Sequence, residues 1–137
     1  RWIGERDKRS RISEGALLTE AFRQLTDAVL DWQRPDGGFS WQLQALDGPR
    51  DNSADGMIGT ALAVGLSEGL YEEKQAGRVQ EALKALALSL RRKAAQAAVD
   101  GCLGECRGFS EYPQIYGAYP WGTGTVLRFL AETDGEI

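Results

Sequence analysis

Two helical patterns in this chain stop in the same way, at Pro35-Asp36-Gly37-Gly38 and at Asp100-Gly101, and the two Asp-Gly pairs lie 64 residues apart. Pro disfavours the α conformation in the residue before it, and Gly supplies the backbone freedom of a turn. Each stop leads to an aromatic segment. The first is Phe39-Ser40-Trp41-Gln42-Leu43; the second, after a longer loop, is Tyr119-Pro120-Trp121-Gly122-Thr123-Gly124. A new helical pattern follows each. The order outer helix, Asp-Gly turn, loop, inner helix is therefore written twice, with little sequence shared beyond the turns, so the repeat is one of architecture. It predicts an all-α chain of two αα-hairpins with no substantial sheet, its helices near 14–33, 53–70, 76–98 and 123–132.

The first helix should present Leu18, Phe22, Leu25, Val29 and Trp32, which recur at steps of four, three, four and three. Ser13 is its expected N-cap, and Glu14 suits the positive end of the helix dipole. After Asp36-Gly37-Gly38, residues Phe39 to Leu43 read as extended. Asp51-Asn52-Ser53 offers three capping residues before a second helix in which charge is nearly absent between Asp55 and Glu68. A helix apolar nearly all round is a buried one. The third helix carries one stripe, Val79, Leu83, Leu86 and Leu90, with Lys84 and Arg91-Arg92-Lys93 marking it as outer and solvated. The fourth begins near Thr123 and carries Val126, Leu127, Phe129 and Leu130.

A length of 137 residues fits one domain, 1–137, and a net charge of −4 argues against a nucleic-acid partner. The one basic cluster, Arg6 to Arg11, is interrupted by Asp7 and reads as a solvated terminal segment. No apolar run approaches the length of a membrane span. The chain has no histidine and two cysteines, Cys102 and Cys106. That excludes a histidine-based nucleophile device and leaves too few ligands for a structural zinc within one chain. Free thiols in a reducing cytoplasm are the expected state, with a disulfide across the loop as the alternative.

Aromatic side chains on loops pack over a core or line a pocket. Trp41, Tyr112, Tyr116, Tyr119 and Trp121 are the candidates to stack on a sugar ring, with Trp41, Tyr112, Tyr116 and Trp121 the chosen substrate-binding set. The acidic residues near them are Asp36, Asp47, Asp51, Asp55, Glu105 and Glu111. Asp36 and Asp51 read first as turn and capping residues, and none of the six stands out as a general acid. The Trp121-Gly122-Thr123-Gly124 helix start has the makings of an anion site, but no strand precedes it as a nucleotide fingerprint requires.

At these segments the chain resembles a known family. Gln33-x-Pro35-Asp36-Gly37-Gly38-Phe39-Ser40-Trp41-Gln42, Asp51-Asn52-Ser53-Ala54-x-x-Met57-Ile58-x-x-Ala61-Leu62, Asp100-Gly101-x-Leu103 and Pro120-Trp121-Gly122-Thr123-Gly124 are similar, in order and spacing, to the C-terminal portion of the unsaturated glucuronyl and rhamnogalacturonyl hydrolases, glycoside hydrolase families 88 and 105. The resemblance implies a ring of six αα-hairpins with a cleft at the loop face. It also implies a reaction without metal or organic cofactor. An aspartic acid protonates the C4=C5 bond of a terminal unsaturated uronic acid, water adds at C5, and the adduct collapses to release the neighbouring sugar. In the family the catalytic aspartates precede the matched region, so no catalytic residue is carried onto this chain.

The expectation is thus the C-terminal hairpins of a larger (α/α) toroid, part of an enzyme whose substrate is an oligosaccharide. Two rivals stand beside it: a non-catalytic interaction module, and another helical-toroid sugar enzyme such as an epimerase. Two hairpins leave the apolar second helix with too little cover, so a homo-oligomer is expected.

Overall fold

The polypeptide forms four helices, α1 (Ile3–Leu30), α2 (Asn52–Ser67), α3 (Glu73–Ala94) and α4 (Pro120–Glu132). They are seen in a computed structural model that describes residues 3–95, 101–104 and 115–134, with side chains from residue 14 on. Between α3 and α4 the two-residue strands β1 (Cys102–Leu103) and β2 (Tyr116–Gly117) pair antiparallel, Cys102 opposite Gly117 and Leu103 opposite Tyr116. That ladder is the whole of the regular sheet among the described residues, and the fold is all-α.

The core forms where α3 and the two inner helices meet. Val79, Leu83, Leu86 and Leu90, the stripe expected of α3, are all buried. Against them lie Leu62 of α2, Val126 and Phe129 of α4, and Phe39 from the first loop. Burying side chains of this size stabilises the fold by roughly 1.5–3 kcal/mol each. The inner helices α2 and α4 approach closely because Gly56 stands at their contact. A Cβ there would lie 2.4 Å from the backbone carbonyl carbon of Thr125.

The glycines of the two Asp-Gly pairs share one backbone state. Gly37 has φ 84° and Gly101 φ 83°, values that favour glycine, so the architectural repeat read from the sequence extends to local conformation. The expected cap of the second helix is present at Asp51, whose Oδ1 accepts from the Ser53 N–H at 2.9 Å and from its Oγ at 2.7 Å.

Several expectations are corrected. Ser13 is no N-cap, since α1 runs through it from Ile3 and takes the charged run of the first residues into the helix. The face of α1 that packs inward holds Thr26 and Leu30, with Phe22 and Val29 at its edge, whereas Leu18, Leu25 and Trp32 are exposed. The stripe was real, but the body of the molecule covers only one edge of it. α2 is likewise not buried all round: Met57, Ala61 and Val64 face outward. α4 starts at Pro120, ahead of Thr123, because proline needs no N–H acceptor in a helix's first turn. Phe39 to Leu43 is not extended throughout: one bridge, Ser40 with Arg50, closes that loop, and the chain bends from Trp41 on.

The ends of the helices define one loop end. The Asn52 N–H donates to the Gly101 carbonyl at 3.1 Å, the Leu103 N–H to Asp51 Oδ1 at 3.4 Å, and Lys93 Nζ near the end of α3 to Asn52 Oδ1 at 3.2 Å. α1 and α3 therefore finish, and α2 and α4 begin, at the same end.

Candidate functional site

The first loop, from Gln33 to Asp51, is fastened by two arginines. Arg34 Nη1 donates to Ser40 Oγ (2.9 Å), to the Leu46 carbonyl (2.9 Å) and to the Gly48 carbonyl (2.6 Å), while its Nε reaches Asp36. It thus ties the start of the loop to its middle. Arg50 ties the end of the loop inward. Its Nε donates to Asp55 Oδ2 at 2.6 Å, and its Nη1 donates to Ser89 Oγ of α3 and lies 3.7 Å from Asp36 Oδ2. Its Nη2 is buried with no hydrogen-bond partner. Asp55 completes the arrangement by accepting the Phe39 N–H at 2.6 Å, which holds the phenyl ring in the core.

Burial pushes Asp55 up to about 6, against the pull of the Arg50 guanidinium, the Phe39 N–H and Lys93. For Asp36 the balance is reversed. Partial burial raises it, but the Gly38 N–H and the charges of Arg50 and Arg34 outweigh burial and hold it below the usual carboxylate range.

The end of the second loop and the first turn of α4 build an aromatic surface. The Trp121 indole stacks on the Tyr119 ring, centroids 4.7 Å apart and planes 11° apart. Its Nε1–H donates to the Leu103 carbonyl at 3.2 Å. The ring is thus held at an edge and on one face, yet half of Trp121 remains in solvent. Tyr116, on β2, is half-buried beside it in sequence and paired with Leu103 across the ladder. Beneath, Cys102 is buried with a free thiol; burial, together with the Asp51 charge, raises its pKa.

Of the four residues chosen from sequence, three are described. Trp41 lies in the Ser40–Arg50 bridged loop, half-buried, its N–H donating to the Pro49 carbonyl at 3.1 Å. That loop runs directly into Asp51, on which the Leu103 N–H converges, so the segments of Trp41, Tyr116 and Trp121 share the loop end. Tyr112 lies outside the described residues, as do Glu105, Glu111 and Cys106. Sequence reasoning missed the fastening roles of Arg34 and Arg50. The signal was present for the second: Asp55 is a lone charge opening an apolar helix, five residues after an arginine.

Among the described residues no group of three His, Cys, Asp or Glu side chains is placed to hold a metal ion. No described helix is long and apolar enough to cross a membrane. The molecule is a protein of paired helical hairpins with aromatic loops drawn together over the starts of its inner helices. The model of Glycosyl Hydrolase Family 88 matches residues 13–134. The chain belongs to glycosyl hydrolase family 88. No curated protein and no solved structure matches it.

Proposed function

We propose that the loop end binds and orients an oligosaccharide that carries an unsaturated uronyl residue, within an enzyme that hydrates the C4=C5 bond of that sugar. The observation that carries this reading is the fixed, half-exposed indole of Trp121. A sugar ring offers a flat face of C–H groups, and an aromatic plane already immobilised by Tyr119 and Leu103 meets it without further ordering cost. Trp41 and Tyr116 are the further contacts, and family membership supports the substrate class.

Three carboxylates of this end are not free to supply the acid for this reaction. Asp51 Oδ1 is taken up by Ser53 and Leu103. Asp55 is wholly buried and held by Arg50 and Phe39, and Asp36 is kept ionised by its two arginines. This chain's part is positioning, and the hairpins are read as the C-terminal portion of an (α/α) toroid. The free thiol of Cys102 fits a reducing, cytoplasmic setting.

The test is a titration of the chain with an unsaturated uronyl disaccharide, followed by tryptophan fluorescence, beside loss of the absorbance of the conjugated double bond. Binding without turnover is expected, with Trp121→Ala reducing affinity about tenfold or more. Equal binding by wild type and Trp121→Ala would remove the platform role. The same substitution should lower stability by about 1–2 kcal/mol, less than the loss for a fully buried aromatic, because half the ring is already in water.

A further inference from the structure

Only one edge of β1 meets β2. Across the ladder the Gly104 N–H donates to the Ile115 carbonyl at 2.7 Å. Antiparallel pairs alternate between bonded and unbonded positions, so Leu103, one residue earlier, turns both its N–H and its carbonyl away from β2. Its N–H donates to Asp51 Oδ1 at 3.4 Å, and its carbonyl accepts the Trp121 Nε1–H at 3.2 Å. Leu103 thus stands between the start of α2 and the indole. The Gly101 carbonyl accepts the Asn52 N–H at 3.1 Å and fastens the same segment to α2 a second time.

The bonds of Asp51 exceed what a helix cap requires. A cap needs one acceptor for an N–H of the first turn, and serine supplies it without a carboxylate to bury. Asp51 is only 7% exposed, and a carboxylate so placed is costly unless its bonds are made. Its Oδ1 takes the Ser53 N–H and hydroxyl as a cap does, but it also takes the N–H of Leu103, 52 residues away in sequence. Its own N–H donates to the Phe39 carbonyl at 3.0 Å, two residues before Trp41. Both aromatic segments therefore meet at this one residue.

The structure assigns Asp51 a task beyond capping: it is the positioning residue that sets the Trp121 indole, acting through Leu103. Trp121 is held on its face by Tyr119 and at its Nε1 edge by Leu103. Stacking alone leaves two rings free to slide over one another, since it lacks the directionality of a hydrogen bond. The Leu103 carbonyl removes that freedom, and Asp51 holds the residue that carries it. The same segment also places the stacking partner, because a Cβ at Gly104 would strike the Tyr119 ring. Asp51 acts at one remove, so its role is positioning and not catalysis. Its consequence for binding rests on the carbohydrate reading of this end; the link to the indole does not.

Exchange of the Trp121 indole N–H with water, followed by NMR in the isotope-labelled 137-residue chain, tests the link. The resonance is identified by its loss in Trp121→Phe, and the indole of Trp32, just beyond the end of α1, is the control. Asp51→Ser keeps a capping oxygen, but its side chain is one bond too short for the Leu103 N–H. It should speed exchange at Trp121 about tenfold, the loss of one hydrogen bond to a carboxylate, and leave Trp32 unchanged. Asp51→Asn keeps an acceptor in the place of Oδ1 and should stay within about threefold of wild type. With an unsaturated uronyl disaccharide as probe, Asp51→Ser should weaken binding about fivefold, and should add nothing once Trp121 is replaced by alanine. Exchange unchanged in Asp51→Ser, equal acceleration at Trp32, an Asp51→Asn as damaged as Asp51→Ser, or losses that add in the double variant would each overturn the proposal. So would a chain in which neither Asp51→Ser nor Asp51→Gly folds, because an N-cap accepts both residues and Asp51 would then be structural alone. A wild type that binds no disaccharide sinks the carbohydrate reading by itself, and the exchange measurement still decides the role of Asp51.

Discussion

The loop end and the open side of α1, α2 and α4 use opposite chemistry. At the loop end, charge is buried and nearly every buried polar atom has a partner: Asp55 with Arg50 and Phe39, Asp51 with Ser53 and Leu103. On the open side, leucine and methionine side chains stand largely in water: Leu18, Leu25 and Met57 are each more than half exposed. The first arrangement resists change, because each removal leaves a buried group unsatisfied. The second resists little, because nothing there is yet buried. The comparison teaches that structure alone fixes the loop end, whereas the open side is defined only by what comes to cover it.

The largest effect should come from breaking the loop end at Arg50. Arg50→Met keeps the apolar stem but leaves Asp55 buried without its cation. A loss of about 3–5 kcal/mol is expected, measured by denaturant unfolding. Arg50→Lys should recover part of that loss, because it keeps a charge near Asp55 but gives up the second donor that reaches Ser89. A cost within 0.5 kcal/mol for Arg50→Met would abolish the contrast between the two regions.

The next effect is read with pH. Asp55 has a folded pKa near 6 against 3.8 for the unconstrained side chain. The folded state therefore binds this proton more tightly than the unfolded chain does. Its contribution to stability is fully present below about 3.8 and is lost as pH rises through about 6. The difference amounts to about 3 kcal/mol by linkage. Asp36 runs the other way, since its depressed pKa gives stability that is lost as pH falls below the usual carboxylate range. The melting temperature of wild type relative to Asp55→Asn should thus fall between pH 4 and pH 7. A difference constant across that interval would show that Asp55 is already ionised at pH 4.

Gly56 gives a smaller effect from packing. A methyl at this position meets the Thr125 backbone, which cannot swing aside as a side chain would. Gly56→Ala should therefore cost about 2 kcal/mol despite the better helix propensity of alanine. A stabilised variant would mean that α2 and α4 part easily, and that the loop end is held by its polar contacts alone.

The sequence made the helices legible for particular reasons. Val79, Leu83, Leu86 and Leu90 read correctly because one stripe on an otherwise charged helix leaves a single face to bury. Asp51 read correctly as a cap because its oxygen needs only its own neighbours. Leu18, Leu25 and Trp32 misled, because a periodic stripe shows that a face is apolar and says nothing of what covers it. Met57 and Val64 misled in the same way. At the candidate site, Trp41, Tyr116 and Trp121 were visible as aromatics outside the helical stripes, though Tyr116 stands on β2 and Trp121 in the first turn of α4. The Arg34 and Arg50 fastenings were not, since hydrogen bonds to Leu46, Gly48 and Ser89 depend on loop geometry that no local pattern encodes.

The smallest effects belong to the open side, and they sharpen the comparison by being small. Leu17→Gln and Leu18→Gln replace side chains that are already mostly in solvent, so within one copy each should change stability by less than about 0.5 kcal/mol. The unfolding experiment must be run dilute, at nanomolar concentration, where any association is dissociated by mass action. A cost that grows at micromolar concentration would show that association covers the face there. A gap between the dilute and concentrated values for Leu18→Gln, absent for Arg50→Met, would assign the two regions to two kinds of contact: one within the chain and one between chains. Equal values at both concentrations would place Leu18 outside any interface and leave the open side as bare surface.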